Sequence, residues 1–176
     1  EMCIRDRLRD LLGADRLTDI DHFLLDDATY SNRLQNDLRH PDRTVGEGDR
    51  FGYDYRTVRC EVAADGVVRY RSDRWTAAFG ASVGRCVVRR RGFYEKELFP
   101  GAGSYGGSSR LRFTPYALRA SAGYAFSSRS YLEISASASA AVPDVEDLFL
   151  QPLYNNRTVD DLSLSRRYGA ELGFVR

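Results

Sequence analysis

The sequence predicts an all-β chain: an antiparallel up-and-down meander that forms a partial slice of a transmembrane β-barrel with long extracellular loops. Three observations lead there. Residues 57–91 alternate with a period of two along both arms of a long hairpin, residues 116–142 repeat that design, and tight turns alternate with long loops.

On the first arm, Val58, Cys60, Val62, Ala64, Gly66, Val68 and Tyr70 are apolar or small. Thr57, Arg59, Glu61, Asp65, Arg69 and Arg71 are charged or hydroxylated, with Ala63 and Val67 as exceptions. A helix cannot sort such a sequence into two faces; a strand can. After Ser72-Asp73-Arg74 the pattern resumes with Trp75, Ala77, Phe79, Ala81 and Val83 opposite Thr76, Ala78, Gly80, Ser82 and Gly84. Each arm runs to roughly fifteen residues, against about five to six in soluble domains and about 9 to 11 needed to cross a membrane. The apolar face ends at the turn in Tyr70 and Trp75, where a membrane barrel carries an aromatic girdle. Alternation alone fits a soluble β-sandwich equally well, because it says that the faces differ and not which solvent each meets.

The second hairpin sets Tyr116, Leu118, Ala120, Ala122, Tyr124 and Phe126 against Arg119, Ser121, Gly123 and Ala125. It turns at residues 127–130 and returns with Leu132, Ile134, Ala136, Ala138 and Ala140 opposite Glu133, Ser135, Ser137 and Ser139. The expected strands are about 55–71, 75–91, 110–126, 131–142 and 166–176. The connections between them alternate between three or four residues and roughly 18 or 23, all the long ones at one end. Short turns at one rim and long loops at the other are the habit of outer-membrane barrels, and structureless loops of that length are uncommon in compact soluble domains. The expected facing follows: the even positions of 58–70 and 116–126 meet lipid, while Arg59, Glu61, Arg119 and Glu133 meet a hydrated lumen.

Composition agrees without deciding. The 176 residues are 43% hydrophobic and 29% charged with a net charge of +1. No run of about 18 apolar residues exists for a membrane helix, which does not bear on a barrel whose spans hide a polar residue at every second position. Of the 26 basic residues only Lys96 is lysine. We read the arginine excess as the mark of a GC-rich genome, and the balancing acids speak against a nucleic-acid surface. Cys3, Cys60 and Cys86 fall in no metal or redox spacing, and the opposite parity of Cys60 and Cys86 predicts that both are free thiols.

Residues 1–7, Glu-Met-Cys-Ile-Arg-Asp-Arg, read as a non-native, adaptor-derived segment to be left out of fold reasoning. With them set aside, the chain is expected to be a barrel fragment whose natural beginning lies upstream. Residues 8–52 read as an extracellular loop region with short helical turns at 8–12 and 21–25, and residues 53–176 as barrel strands and loops. Asp15, Asp19, Asp21, Asp26 and Asp27 lack the spacing and the turning glycine of an EF-hand, so no metal is assigned. Gly101-Ala102-Gly103-Ser104-Tyr105-Gly106 matches a dinucleotide fingerprint only formally, because Phe99-Pro100 precedes it and a β-pattern follows. No cofactor is expected.

Residues 143–149, Pro-Asp-Val-Glu-Asp-Leu-Phe, resemble the Pro-Ser-x-x-Glu-Leu-Tyr element of TonB-dependent outer-membrane receptors. The stretch Asp161-Leu162-Ser163-Leu164-Ser165 leading to Glu171-Leu172-Gly173-Phe174 is similar to their Asn-Pro-x-Leu-Lys-Pro-Glu and Tyr-Glu-x-Gly-Phe segment. Ala141, Leu164, Ser165 and Ala170 depart from it. Gln35-Asn36-Asp37-Leu38 and residues 46–55 look like an extracellular loop and the strand after it in Bacteroidetes-type members. The resemblance implies a slice of a plugged, 22-stranded barrel in the outer membrane that binds a scarce nutrient and imports it with force supplied through TonB. It implies outer-membrane lipid and lipopolysaccharide, the TonB complex and a nutrient ligand as partners.

No catalysis is implied. Neither His22 nor His40 lies in a motif, and Glu95 and Glu97 sit in a loop with nothing to fix them. A passive porin or adhesion barrel and a soluble β-sandwich binding module are the alternatives. In this family ligand is met by extracellular loops, here 8–52, 92–109 and 143–165. Tyr94, Tyr105 and Tyr154, with Asn155 and Asn156, are the candidate contacts, being large or amide-bearing side chains on those loops; packing of loop against loop is the competing role. Arg89, Arg90 and Arg91, with Arg85 below and Lys96 just beyond, are candidates for a lipopolysaccharide-binding outer rim, against a solvated strand end.

Overall fold

The computed structural model describes residues 2–11, 16–18 and 34–176. Its main element is one open antiparallel sheet. In chain order its long strands are β1 (Met2–Leu11), β4 (Arg50–Arg71), β5 (Trp75–Gly92), β8 (Tyr116–Ser127), β9 (Ser130–Ala141) and β10 (Ser165–Val175), and they pair in that same order across the sheet. Two short strands, β6 (Gly106–Gly107) and β7 (Leu111–Phe113), pair with the upper part of β5. A separate ribbon joins β2 (Arg16–Thr18) to β3 (Thr44–Gly46). The long strands of the main sheet therefore each lie beside the next long strand in sequence, a meander.

The turns fix the register. Between β4 and β5 the Ser72 N–H donates to Trp75 O at 2.8 Å and the Trp75 N–H to Ser72 Oγ at 3.2 Å. From there β4 and β5 stay in unbroken register from Arg71 opposite Thr76 up to Tyr55 opposite Gly92. Between β8 and β9 the Ser127 hydroxyl accepts from the Ser130 N–H at 3.1 Å. β7 and β8 continue one register against β5: Phe113 faces Cys86, and Tyr116 faces Val83. They are separated because Pro115 has no N–H to give the ladder, although its carbonyl still accepts from the Gly84 N–H at 2.8 Å. The expected strand over 110–126 is thus one line of chain interrupted at a proline.

Two expectations change. Leu8–Leu11, expected as a helical turn, belongs to β1, which pairs with β4 from Met2 opposite Glu61 to Leu11 opposite Arg50. The backbone groups along the edge of β4 are satisfied by an adjoining strand, and no isolated helical turn could supply that. The second expected turn, at 21–25, lies outside the described residues, as do Asp15, Asp19, Asp21, Asp26 and Asp27. The other change concerns sulfur. Cys86 is a free, buried thiol as expected, but Cys60 is disulfide-bonded. Its environment is set from its other side, where the β1 register makes Cys3 the Cα partner of Cys60, a neighbour that alternation within one hairpin does not reveal.

Hydrophobic packing is confined to the end of the sheet away from the tight turns. There α1 (Val145–Leu148) and the chain after it bring Leu148 and Phe149 onto Cys86, Val88, Phe113 and Val142, with Leu111, Leu162 and Leu164 at the margin. Val45 and Phe51 form a smaller cluster. Below this loop cap no second layer covers the sheet among the described residues.

Candidate functional site

Strand pairing carries the alternation across the whole sheet. Directly opposed residues share a face. Tracing the row through Phe79 gives Val68, Phe79, Ala120, Ala136 and Ala170. The neighbouring row gives Val67, Gly80, Arg119, Ser137 and Gly169 on the other side. One face is apolar on every strand from β4 to β10 and the other carries the arginines, carboxylates, serines and glycines. Arg59 and Glu61 lie together on the polar face, bonded at 3.1 Å.

The apolar face is exposed where a soluble protein would bury it. Val68, Tyr168 and Leu172 are 71%, 72% and 73% accessible, and Val62, Phe79, Val83, Leu118 and Ile134 are exposed beside them. At the short-turn end the aromatics meet one another: Trp75 and Tyr124 ring centroids lie 4.8 Å apart, Tyr124 and Phe126 5.0 Å, and Phe126 and Phe174 6.4 Å. The opposite limit of the band is the first charge on that face, Arg85 on β5 and Arg166 on β10. The polar face holds a groove of about 540 Å³ whose lining includes Arg69, Arg119, Ser121, Ser135, Ser137 and Glu171.

The loop cap is built on two buried cations that lie above the apolar band. Arg90 is 2% accessible; its Nε donates to Pro152 O at 2.6 Å and its Nη1 to Asn156 Oδ1 and Ser104 O, with the guanidinium 4.7 Å from the Tyr55 ring centroid. Burial pushes its pKa down to about 10. Lys96, also 2% accessible, donates from Nζ to Asn36 Oδ1 at 2.6 Å and Gly52 O at 2.8 Å, and lies over the Tyr154 ring. Arg90 on β5 binds the loops at 104 and at 152–156, and Lys96 reaches from its loop to Asn36, so the three loop regions are fastened by charge-assisted hydrogen bonds. Gly92 is where loop and strand touch: a Cβ there would stand 1.9 Å from Ser104 O.

The candidate ligand contacts are spent largely on this fastening. Tyr94 is buried, its hydroxyl donating to Arg50 O at 2.8 Å. Asn156 is buried and donates from Nδ2 to Ala102 O at 3.0 Å and to Tyr105 O at 3.3 Å. Asn155 is 1% accessible and bonds Gln151. Tyr105 and Tyr154 are half-buried, under Arg39 and Lys96 respectively. The rim candidates divide by parity: Arg89 and Arg91 are exposed on the apolar-face side, whereas Arg90 points into the cap and Lys96 is interior. Glu95 and Glu97 accept from the backbone N–H groups of Gly101 and Gln35. Gly101–Gly103 makes a single 3₁₀ turn with no helix after it, so nothing there resembles a dinucleotide cradle.

Sequence reasoning missed a charged recess of about 290 Å³ between Asp37, His40, Arg43, Asp49, Arg50 and Phe93. His40 Nδ1 lies 2.8 Å from Asp37. Beside it Asp54, fully enclosed, accepts from Arg7 Nε and Nη2 at 2.9 and 2.7 Å and from Arg50 at 2.8 Å, and this carboxylate raises the pKa of Arg7. No spacing in the sequence joins residues 7, 37 and 93. No group of three metal-ligating side chains occurs among the described residues.

Compared with family models, with curated proteins and with solved structures, the chain matches none.

Proposed function

We propose that the chain is a segment of an outer-membrane β-barrel, its apolar face against lipid and its polar face against a hydrated interior. Within that class we assign it to the TonB-dependent receptors of Bacteroidetes type, which capture a nutrient at the cell surface and import it without a catalytic step. The observation that carries the first step is the exposed apolar face spanning five strands, bounded by touching aromatics at the short-turn end and by arginines at the other. Contiguous exposed apolar surface on that scale marks a membrane or protein interface. A β-sandwich would set a second sheet over the apolar face, and among the described residues none lies there.

The second step rests on the resemblance at residues 143–149 and 161–174. The proline element is the segment whose Leu148 and Phe149 close the loop cap over the polar face, a position suited to an outer loop that narrows a lumen. Ligand is then met by what the cap leaves accessible, the recess around His40, Arg43, Asp49 and Phe93 and the half-buried Tyr105 and Tyr154, rather than by Tyr94, Asn155 or Asn156.

The test is depth. In the full-length protein reconstituted into vesicles, an environment-sensitive fluorophore on cysteines introduced at Leu118 or Leu172 should be quenched strongly by spin-labelled lipid tails, and at Ser121 or Ser137 weakly. Equal quenching on the two faces would sink the barrel reading. Nutrient uptake should stop when TonB is removed; uptake that persists would favour a passive porin.

A further inference from the structure

Three arginines stand in one row on neighbouring strands. In register, Arg7 on β1 is opposite Arg56 on β4, and Arg56 is opposite Arg91 on β5. All three share the face of the apolar band, above its upper limit. Their guanidinium carbons lie 4.5, 5.9 and 5.7 Å from the centroid of one ring, Phe93. Two residues below Arg91 is Arg89, and Arg112 stands opposite Val87 just beneath it, both exposed and on that face.

Like charges directly opposed across strands are destabilising, and among the described residues a carboxylate relieves only the Arg7 end of this row. The carboxylate beside it, Asp54, is already held by Arg7 and Arg50. Neither Arg56 nor Arg91 makes an ion pair among the described residues, and Arg89 and Arg112 make none. These four arginines have no carboxylate of their own among the described residues, and planar guanidinium forks a strand spacing apart suit phosphate oxygens.

Resting on the barrel reading above, we infer that Arg56 and Arg91 of this row, with Arg89 and Arg112 beneath, are a binding site for the phosphate-bearing headgroup of a lipid in the outer leaflet. Continuity selects the source. The same face passes from Val83, Val62 and Val87 through Arg85 and Arg89 to Arg91, so a lipid whose acyl chains lie on the apolar band carries its phosphate to the height of these arginines. A soluble anion would gain nothing from that apolar approach.

Binding of fluorescent phosphatidic acid in dodecylmaltoside micelles to the full-length protein tests it, with inorganic phosphate as competitor. Arg56→Gln/Arg91→Gln should weaken binding at least about tenfold, as loss of charge-assisted pairs requires. Arg59→Gln/Arg119→Gln, on the polar face, should leave it within about twofold. The first variant should also melt no lower than wild type in the neutral detergent, since a repulsion has been removed. Unchanged binding by that variant, a lowered melting point, or equally tight occupancy by inorganic phosphate alone would each overturn the inference. A protein that enters micelles and vesicles yet ignores phosphatidic acid refutes only this site; one that enters neither refutes the barrel.

Discussion

Ala120→Arg probes the facing of the sheet at its most sensitive height. From Trp75, in the aromatic cluster, to Arg85, the first charge on that face of β5, is ten residue steps (85 − 75). At about 3.4 Å per residue that is roughly 34 Å along the strand. A strand tilt of about 40° reduces it to roughly 26 Å of height, against an apolar band of about 25 Å in outer-membrane barrels. Ala120 pairs with Phe79, four steps above Trp75 and so about 10 Å into the band, near its middle. An arginine there is expected to cost about 2 to 4 kcal/mol. Ser121 is one residue away on the polar face, in the row that runs through Ser135 to Glu171, so Ser121→Arg meets water and a carboxylate and should cost under about 1 kcal/mol. The assay is urea-dependent folding of the full-length protein into lipid vesicles, read by heat-modifiable gel mobility. If Ala120→Arg folds as wild type while Ser121→Arg does not, the facing is reversed.

Two further outcomes concern the loop cap. Asn156→Ala strips the buried Arg90 guanidinium of an acceptor and three loop carbonyls of a donor; it should destabilise the cap by about 1 to 3 kcal/mol, seen as faster hydrogen exchange across residues 101–110 with the strands unaffected. Cys86, enclosed beneath Leu148 and Phe149, should react slowly with a maleimide in the folded protein and several-fold faster in Leu148→Ala, the cavity loosening its cover; equal rates would show that the thiol is reached without the cap lifting.

Much of this was legible because a strand's side-chain period is two and nothing else satisfies it. The run from Thr57 to Arg71 sorts itself into faces before any partner is known, and the tight turns at 72–74 and 127–130 then fix which residues oppose. Strand limits were read less closely where pairing, not pattern, decides them. β4 begins at Arg50 because β1 lies against it, and the expected strand at 110–126 breaks at Pro115. Loop residues were the least legible. Tyr94, Asn155 and Asn156 have the chemistry of ligand contacts, and the same chemistry fastens loops; nothing local distinguishes the two.

The sequence by itself determined the meander, the two-faced sheet and the placing of aromatics at the short-turn end, because each depends on neighbours a few residues apart. Tertiary structure alone decided the fates of Arg89, Arg90 and Arg91. Three identical side chains in succession must point alternately, and only the loops brought from residues 104, 152 and 156 turned Arg90 into an interior pin. It also decided that Arg7 and Arg56 join Arg91 and that Cys60 is bonded, since strands distant in sequence become neighbours only when backbone hydrogen bonding draws them into register.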